Sequence, residues 1–288
     1  MNKEKLKNLT IRTLSGAVLA AVLFGATLIS GYGYVALMAV VVAVGVWEFY
    51  NLCESCGYKP QRYLGTALAL FVYLFASFAF VDVVMGGYSW NTTVVAKVVL
   101  TAIPTLAFAS FILELFRNYE QPIANVGVTL MGTLYVALPV SAMLAIPQLL
   151  SGKSEWLPWY AICYILIIWA NDVFAYLFGM TLGRHRMCER ISPKKSWEGF
   201  VGGVVAAVGF AALFGYLLGG DVALWAGLGA IIAITGVAGD FIESLFKRSA
   251  GVKDSGAIMP GHGGILDRFD ALLISAPFAL IYLLLTNL

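Results

Sequence analysis

Apolar stretches near the length of a membrane-crossing helix recur along this chain, at about residues 12–31, 33–51, 63–83, 93–116, 123–147, 157–180, 199–219, 221–243 and 268–287. A helix needs roughly twenty apolar residues to cross a hydrocarbon layer of ~30 Å, so each stretch is a candidate span. The period-two alternation that marks a transmembrane barrel is absent, and a helix satisfies its own backbone groups within lipid. The predicted fold class is therefore all-α, a polytopic integral membrane helical bundle of about nine transmembrane helices. Composition agrees, because 60% hydrophobic and 12% charged residues, against about 45–50% and about 25% in soluble globular chains, exclude an ordinary soluble domain.

The cations set an expected orientation. With the amino terminus cytoplasmic, Lys3, Lys5, Lys7, Arg12, Lys59, Arg62, Arg117, the Arg184–Lys195 cluster, Lys247, Arg248, Lys253 and Arg268 all fall on the cytoplasmic side. Only Lys97 and Lys153 fall at or near the other face. The positive-inside rule prefers this topology, and an odd number of spans then leaves the carboxyl terminus external to the cell (inner) membrane. The first apolar segment is too long for a signal peptide and lacks a small-residue cleavage site, so it is expected to be retained. Cys53-x-x-Cys56 has a redox or zinc spacing, yet no second cysteine pair or histidine pair completes a site, and chance placement at a helix end is the better reading.

The two halves differ in how they place polar residues. Residues 1–155 read as N-terminal transmembrane helices that act mainly as scaffold, with Glu48 and Glu114 as interfacial anchors beside Trp47, Tyr50 and Arg117. Residues 156–288 read as the C-terminal helices that carry the chemistry. Asp172 lies inside an apolar span, and Tyr176, Gly179 and Gly183 follow at spacings that form one helical stripe. A carboxylate facing lipid there would cost at least ~2.5 kcal/mol, so Asp172 is expected to face the bundle interior or a watery cavity.

Three polar clusters converge on the same side of the membrane. "GRHRMCERISPKKSWEG", residues 183–199, is a loop of five cations that leads through Ser196 into a helix, an arrangement suited to phosphate binding near a helix amino terminus. In "GDFIESLFKR", residues 239–248, Asp240, Glu243, Ser244 and Lys247 share one helical face that can hold a metal and a phosphate together. "VKDSGAIMPGHGGILDRFD" adds Lys253, Asp254 and a glycine-rich loop, Gly261 to Gly264, whose backbone amides can approach an anion. Asp267 and Asp270 follow on one helical face with Arg268 beside them, and such oxygen-rich acids suit Mg²⁺. His262 contacts a phosphate or braces the loop. No GxxxxGK[ST], HExxH or GxSxG pattern is present, which removes the main support for those chemistries.

The run Ser244-x-x-Lys247-Arg248, Lys253-Asp254, Pro260-x-His262-Gly263-Gly264-x-x-Asp267-Arg268-x-Asp270 resembles the phosphatidate cytidylyltransferases, also called CDP-diacylglycerol synthases. "SPKKSWEG" and the Asp172 stripe look like that family too, and the resemblance is strongest over about residues 165–288. It implies a reaction of CTP with phosphatidate that gives CDP-diacylglycerol and pyrophosphate, with Mg²⁺, a second cation such as K⁺, and a homodimer in the membrane. No nucleic-acid partner is implied. At matching positions Asp240 and Asp267 would be the metal-site acids, with Asp270 and Asp172 supporting them. Lys194, Lys195, Lys247, Arg248 and Arg268 would neutralise substrate phosphates, while Ser196, Lys253, Asp254, Gly261, His262, Gly263 and Gly264 complete the substrate-binding set. The alternatives are a related CTP-dependent lipid enzyme, such as a polyprenol kinase or CDP-archaeol-type synthase, and an ion-coupled transporter with Asp172 and Asp240 on its path.

Overall fold

A computed structural model describes residues 3–85, 92–153, 155–259, 261 and 263–286, with backbone alone for part of these near the amino terminus and around residues 79–100. Nine long helices stand among the described residues where nine spans were expected. They are α1 (Lys3–Ile29), α2 (Gly31–Ser55), α3 (Arg62–Met85), α4 (Thr92–Arg117), α5 (Pro122–Ser151), α6 (Pro158–Thr181), α7 (Trp197–Leu217), α8 (Val222–Ser249) and α9 (Leu266–Thr286). By length and composition α2 and α5 to α9 can each cross a membrane, and α1 and α3 hold the shorter apolar stretches Thr13–Ile29 and Arg62–Phe78. The protein is a multi-pass membrane protein of all-α architecture.

Local chemistry sets the helix boundaries. Ser30, Ser196 and Asp221 precede α2, α7 and α8, and the side chain of each accepts a backbone N–H from the first turn that follows. Pro122 and Pro158 open α5 and α6, where a missing N–H costs nothing. Within α5 the turn Thr133–Ala137 widens to π-helical hydrogen bonding just ahead of Pro139. Proline offers no N–H to the carbonyl four residues back and crowds it, and a wider turn accommodates both effects. Between α6 and α7 the expected basic loop folds as a short antiparallel hairpin, β1 (Arg186–Cys188) with β2 (Ser192–Ser196).

Glycine lets the C-terminal helices approach closely. An added Cβ at Gly203 would come 2.7 Å from the side-chain oxygen of Asn171 on α6, and one at Gly229 on α8 would come 2.7 Å from the Ala207 carbonyl oxygen on α7. Such small-residue seams allow association in lipid, where helix–helix contact gains little from the hydrophobic effect. Helix α9 packs on α8 and also on α5, so the two halves share one core that includes Met38, Val42, Ile146, Ile165, Leu228 and Leu272.

Two acids of the N-terminal half depart from the expectation of interfacial anchoring. Glu48 is 2% exposed and Glu114 7% exposed, and Tyr50 is fully buried with its hydroxyl donating to the Thr129 carbonyl at 2.6 Å. Each finds partners inside the bundle, which frees it from the polar boundary. Trp47 and Arg117 stay half-buried, and the Arg62 guanidinium lies 5.3 Å from the centre of the Trp47 ring.

Candidate active site

Close packing of α8 on α9 brings the acids together. An added Cβ at Gly239 would lie 2.4 Å from the Asp270 carbonyl oxygen, so only glycine permits this approach. That approach sets Asp240 of α8 and Asp270 of α9 in the lining of one cavity. From the hairpin, Lys195 pairs with Asp240, and its ammonium lies 4.6 Å from the centre of the Phe241 ring. Two turns further along α8, Lys247 donates to Glu243 at 2.5 Å and to Asp267 at 2.6 Å, which ties α8 to the start of α9.

Asp267 organises the loop before α9. Its Oδ2 accepts from the Ser255 N–H at 2.8 Å, the Ser255 hydroxyl at 2.9 Å and the Gly264 N–H at 2.8 Å. Gly263 has φ +82, and an added Cβ there would come 2.5 Å from Asp267 Oδ2, so this position needs glycine for both backbone and space. The amides of Gly263 and Gly264 donate to the Met259 carbonyl and to Asp267, which corrects the expectation that both are available to an anion. Their contribution is the shape of the turn.

Two adjoining cavities of about 580 and about 670 Å³ share Asp172 and Asp240 in their walls. Arg186, Lys194, Lys195 and Ser196 line the first, together with Tyr176, Gly179 and Gly183 of the Asp172 stripe. Glu243, Lys247, Arg248, Lys253, Asp254, Asp267, Arg268 and Asp270 line the second. Its opposite wall is apolar, formed by Gly16, Leu19 and Leu23 of α1 with Ile168 and Trp169 of α6. The structure thus gathers Asp172, Asp240, Asp267 and Asp270 with six of the expected cations around one hollow. Ser196 lines it as well, although its hydroxyl accepts the Gly199 N–H at 3.2 Å as a helix cap. Gly261, Gly263 and Gly264 are absent from both linings, and His262 lies outside the described residues.

The donor set fits a hard divalent ion. Among the described residues no three histidine, cysteine or acidic side chains converge into a complete cage. Mg²⁺ commonly takes one or two carboxylates and fills its octahedron with water and substrate phosphate oxygens. Carboxylate oxygens beside an open cavity supply that partial shell, and the ammonium groups of Lys195 and Lys247 mark positions where positive charge is already stabilised.

Sequence reasoning missed Glu48. Its Oε2 accepts the Leu266 N–H at 2.9 Å and lies 3.4 Å from the Ser255 hydroxyl oxygen, against the loop that leads into α9 and Asp267. The available signal was the same one that singled out Asp172, a carboxylate embedded in an apolar run.

Known proteins resemble this chain in sequence. A family model described as "Cytidylyltransferase family" matches residues 10–286. A Staphylococcus aureus (strain COL) protein named phosphatidate cytidylyltransferase is 43% identical over 127 residues, covering 43% of this chain and 49% of the relative. One of the same name from Mycobacterium bovis is 38% identical over 167 residues, covering 57% of this chain and 52% of the relative. The matches therefore span about half the length of these curated relatives.

Proposed function

The chain belongs to the cytidylyltransferase family, and on that premise we propose that it transfers the cytidylyl group of CTP to phosphatidate, giving CDP-diacylglycerol and pyrophosphate. The observation that carries this reading is the second cavity, where acids and cations face an apolar wall from α1 and α6. A lipid phosphate needs that combination, with charge for its headgroup and a greasy surface for its chains.

The chemistry asks little of a general base. A phosphate monoester has a second pKa of about 6, so its oxygen is already largely ionised near neutral pH. That oxygen attacks the α-phosphorus of CTP, the bond to the β-phosphate bridging oxygen breaks, and pyrophosphate leaves with the electron pair. The obstacle is repulsion between two polyanions, so rate comes from positioning and charge neutralisation. Asp240 and Asp267 hold Mg²⁺, with Asp270 and Asp172 as flanking acids. When bound, the divalent ion supplies positive charge to the nucleotide phosphates. Lys194 and Lys195 on the hairpin side and Lys247, Arg248 and Arg268 on the α8–α9 side gather the substrate and pyrophosphate oxygens. Ser196, Lys253, Asp254 and His262 complete the substrate-binding surface, and the glycines shape the turn that leads to Asp267.

The site faces the cytoplasm at the cell (inner) membrane, with the amino terminus inside and the carboxyl terminus outside. This topology is supported by the cation distribution and by nine helices among the described residues. Residues 1–155 serve mainly as scaffold and 156–288 carry the site. A second cation such as K⁺ beside Mg²⁺ and a homodimeric assembly accord with the family resemblance.

Product analysis tests the reading. Purified full-length protein with α-labelled CTP, Mg²⁺ and phosphatidate should form labelled CDP-lipid and pyrophosphate in equal amounts, and chelation should stop turnover until Mg²⁺ is restored. Release of CDP with a newly phosphorylated lipid would instead identify a lipid kinase.

A further inference from the structure

Glu48 on α2 is a carboxylate that the chemistry above does not use. It is 2% exposed, and its nearest polar neighbours all belong to the segment 255–266, more than two hundred positions away in the chain. An added Cβ at Gly256 would lie 2.3 Å from Glu48 Oε1, and one at Gly264 would lie 2.4 Å from Glu48 Oε2. The carboxylate thus sits against two glycines, one near each end of the segment. Its Oε1 is buried with no hydrogen-bond partner among the described residues. Burying an acid with one oxygen unsatisfied is unfavourable, and an apolar side chain of similar size would fill the space at lower cost.

We propose that Glu48 is a positioning residue of the site, a clamp from the N-terminal half that fixes the loop 255–266 and through it the carboxylate of Asp267. This rests on the cytidylyltransferase reading for its catalytic consequence. The chain of contacts is short. Glu48 Oε2 accepts from the Leu266 N–H and lies 3.4 Å from the Ser255 hydroxyl oxygen, whose proton goes to the nearer Asp267 Oδ2. Ser255 and Gly264 donate to Asp267 Oδ2, and Asp267 Oδ1 accepts from Lys247. Leu266 is the first residue of α9, so Glu48 supplies from another helix an acceptor for one of the otherwise unpaired N–H groups there. Without that anchor the glycine turn loses its floor. Asp267 and Lys247 then keep their partners only as long as the loop stays in place.

The test uses the full chain in lipid and reads loop exchange and kinetics together. Glu48→Ala should speed amide hydrogen exchange across 255–266 by about tenfold or more while leaving α6 unchanged. It should lower kcat by about tenfold with KM for CTP moving less than about threefold, because the loss falls on geometry and not on nucleotide contacts. Glu48→Gln retains an acceptor for Leu266 and should recover most of both. Gly264→Ala, whose methyl group occupies the carboxylate's place, should harm the wild type more than it harms Glu48→Ala. Unchanged loop exchange in Glu48→Ala, or effects of Glu48→Ala and Gly264→Ala that simply multiply, would overturn the clamp. If Glu48→Ala does not fold, Gly264→Ala alone must still speed loop exchange for the proposal to stand. A wild type that makes no CDP-lipid removes the cytidylyl reading and leaves the exchange measurements to decide the clamp.

Discussion

Two polar clusters inside the bundle are each built around carboxylates and reach opposite ends. In the N-terminal half, Glu114 of α4 accepts from Asn125 at 2.9 Å, from Gln61 at 2.7 Å and from Arg117 at 2.8 Å. Arg117 also donates to the Lys59 carbonyl at 2.8 Å, and Asn125 accepts the Lys59 N–H at 2.8 Å. Both oxygens of Glu114 are engaged by fixed protein donors, so the network is closed and joins α3, α4 and α5. In the C-terminal half, acids outnumber the ammonium groups paired with them, and the cluster opens onto a hollow. A closed polar network rigidifies, whereas one left with spare charge on an accessible wall retains binding capacity for a ligand.

The sharpest way to break this comparison is to remove charge from the open cluster. Asp240→Asn should lower CTP turnover by about a thousandfold while leaving helix content and thermal unfolding close to wild type, because one acid of a metal and phosphate site is lost and little packing changes. Retention of a tenth of wild-type turnover would refute the assignment. Asp267→Asn should match that loss and also loosen the loop 255–266, which hydrogen exchange would report.

Changing the closed cluster should do the reverse. Glu114→Ala removes the acceptor shared by Arg117, Gln61 and Asn125, each of which keeps a backbone carbonyl, and should destabilise the protein by about 2 kcal/mol in reversible unfolding. Turnover per folded molecule should stay within about twofold of wild type. A selective fall in kcat would mean that the N-terminal network reaches the chemistry after all. Lys195→Ala sharpens the comparison at a smaller scale. Loss of one cation from the nucleotide side should raise the apparent KM for CTP by about tenfold, with a smaller change in kcat, in steady-state assays. Arg62→Ala should have the least effect. Its ion pair with Glu54 is partly exposed, so the cost should stay below about 1 kcal/mol with turnover unchanged.

Much of the architecture was legible because a bilayer imposes a length on every span, and apolar runs of that length can be read directly. The cap at Ser196 and the shared face of Asp240, Glu243 and Lys247 were legible for a related reason, since both follow from spacing within one helix. Relations between helices were harder. Glu48 and Leu266 meet only because α2 and α9 pack against each other, and nothing local to either residue records that. The hairpin of residues 186–196 was hidden by its four cations, which read as a solvated loop whether or not they pair as strands. Asp267 was visible as an acid, while its three backbone and hydroxyl donors depend on a turn whose shape comes from tertiary packing.

The seam between α6 and α7 carries one further consequence. Gly199, Gly202 and Gly203 each meet an atom of α6 at a separation no Cβ could tolerate. Two rods meshed this tightly behave as a welded joint, since sliding or rolling either one would drive main chain into main chain. Any breathing that admits a bulky amphiphile must therefore spare this seam and take place along other helix contacts.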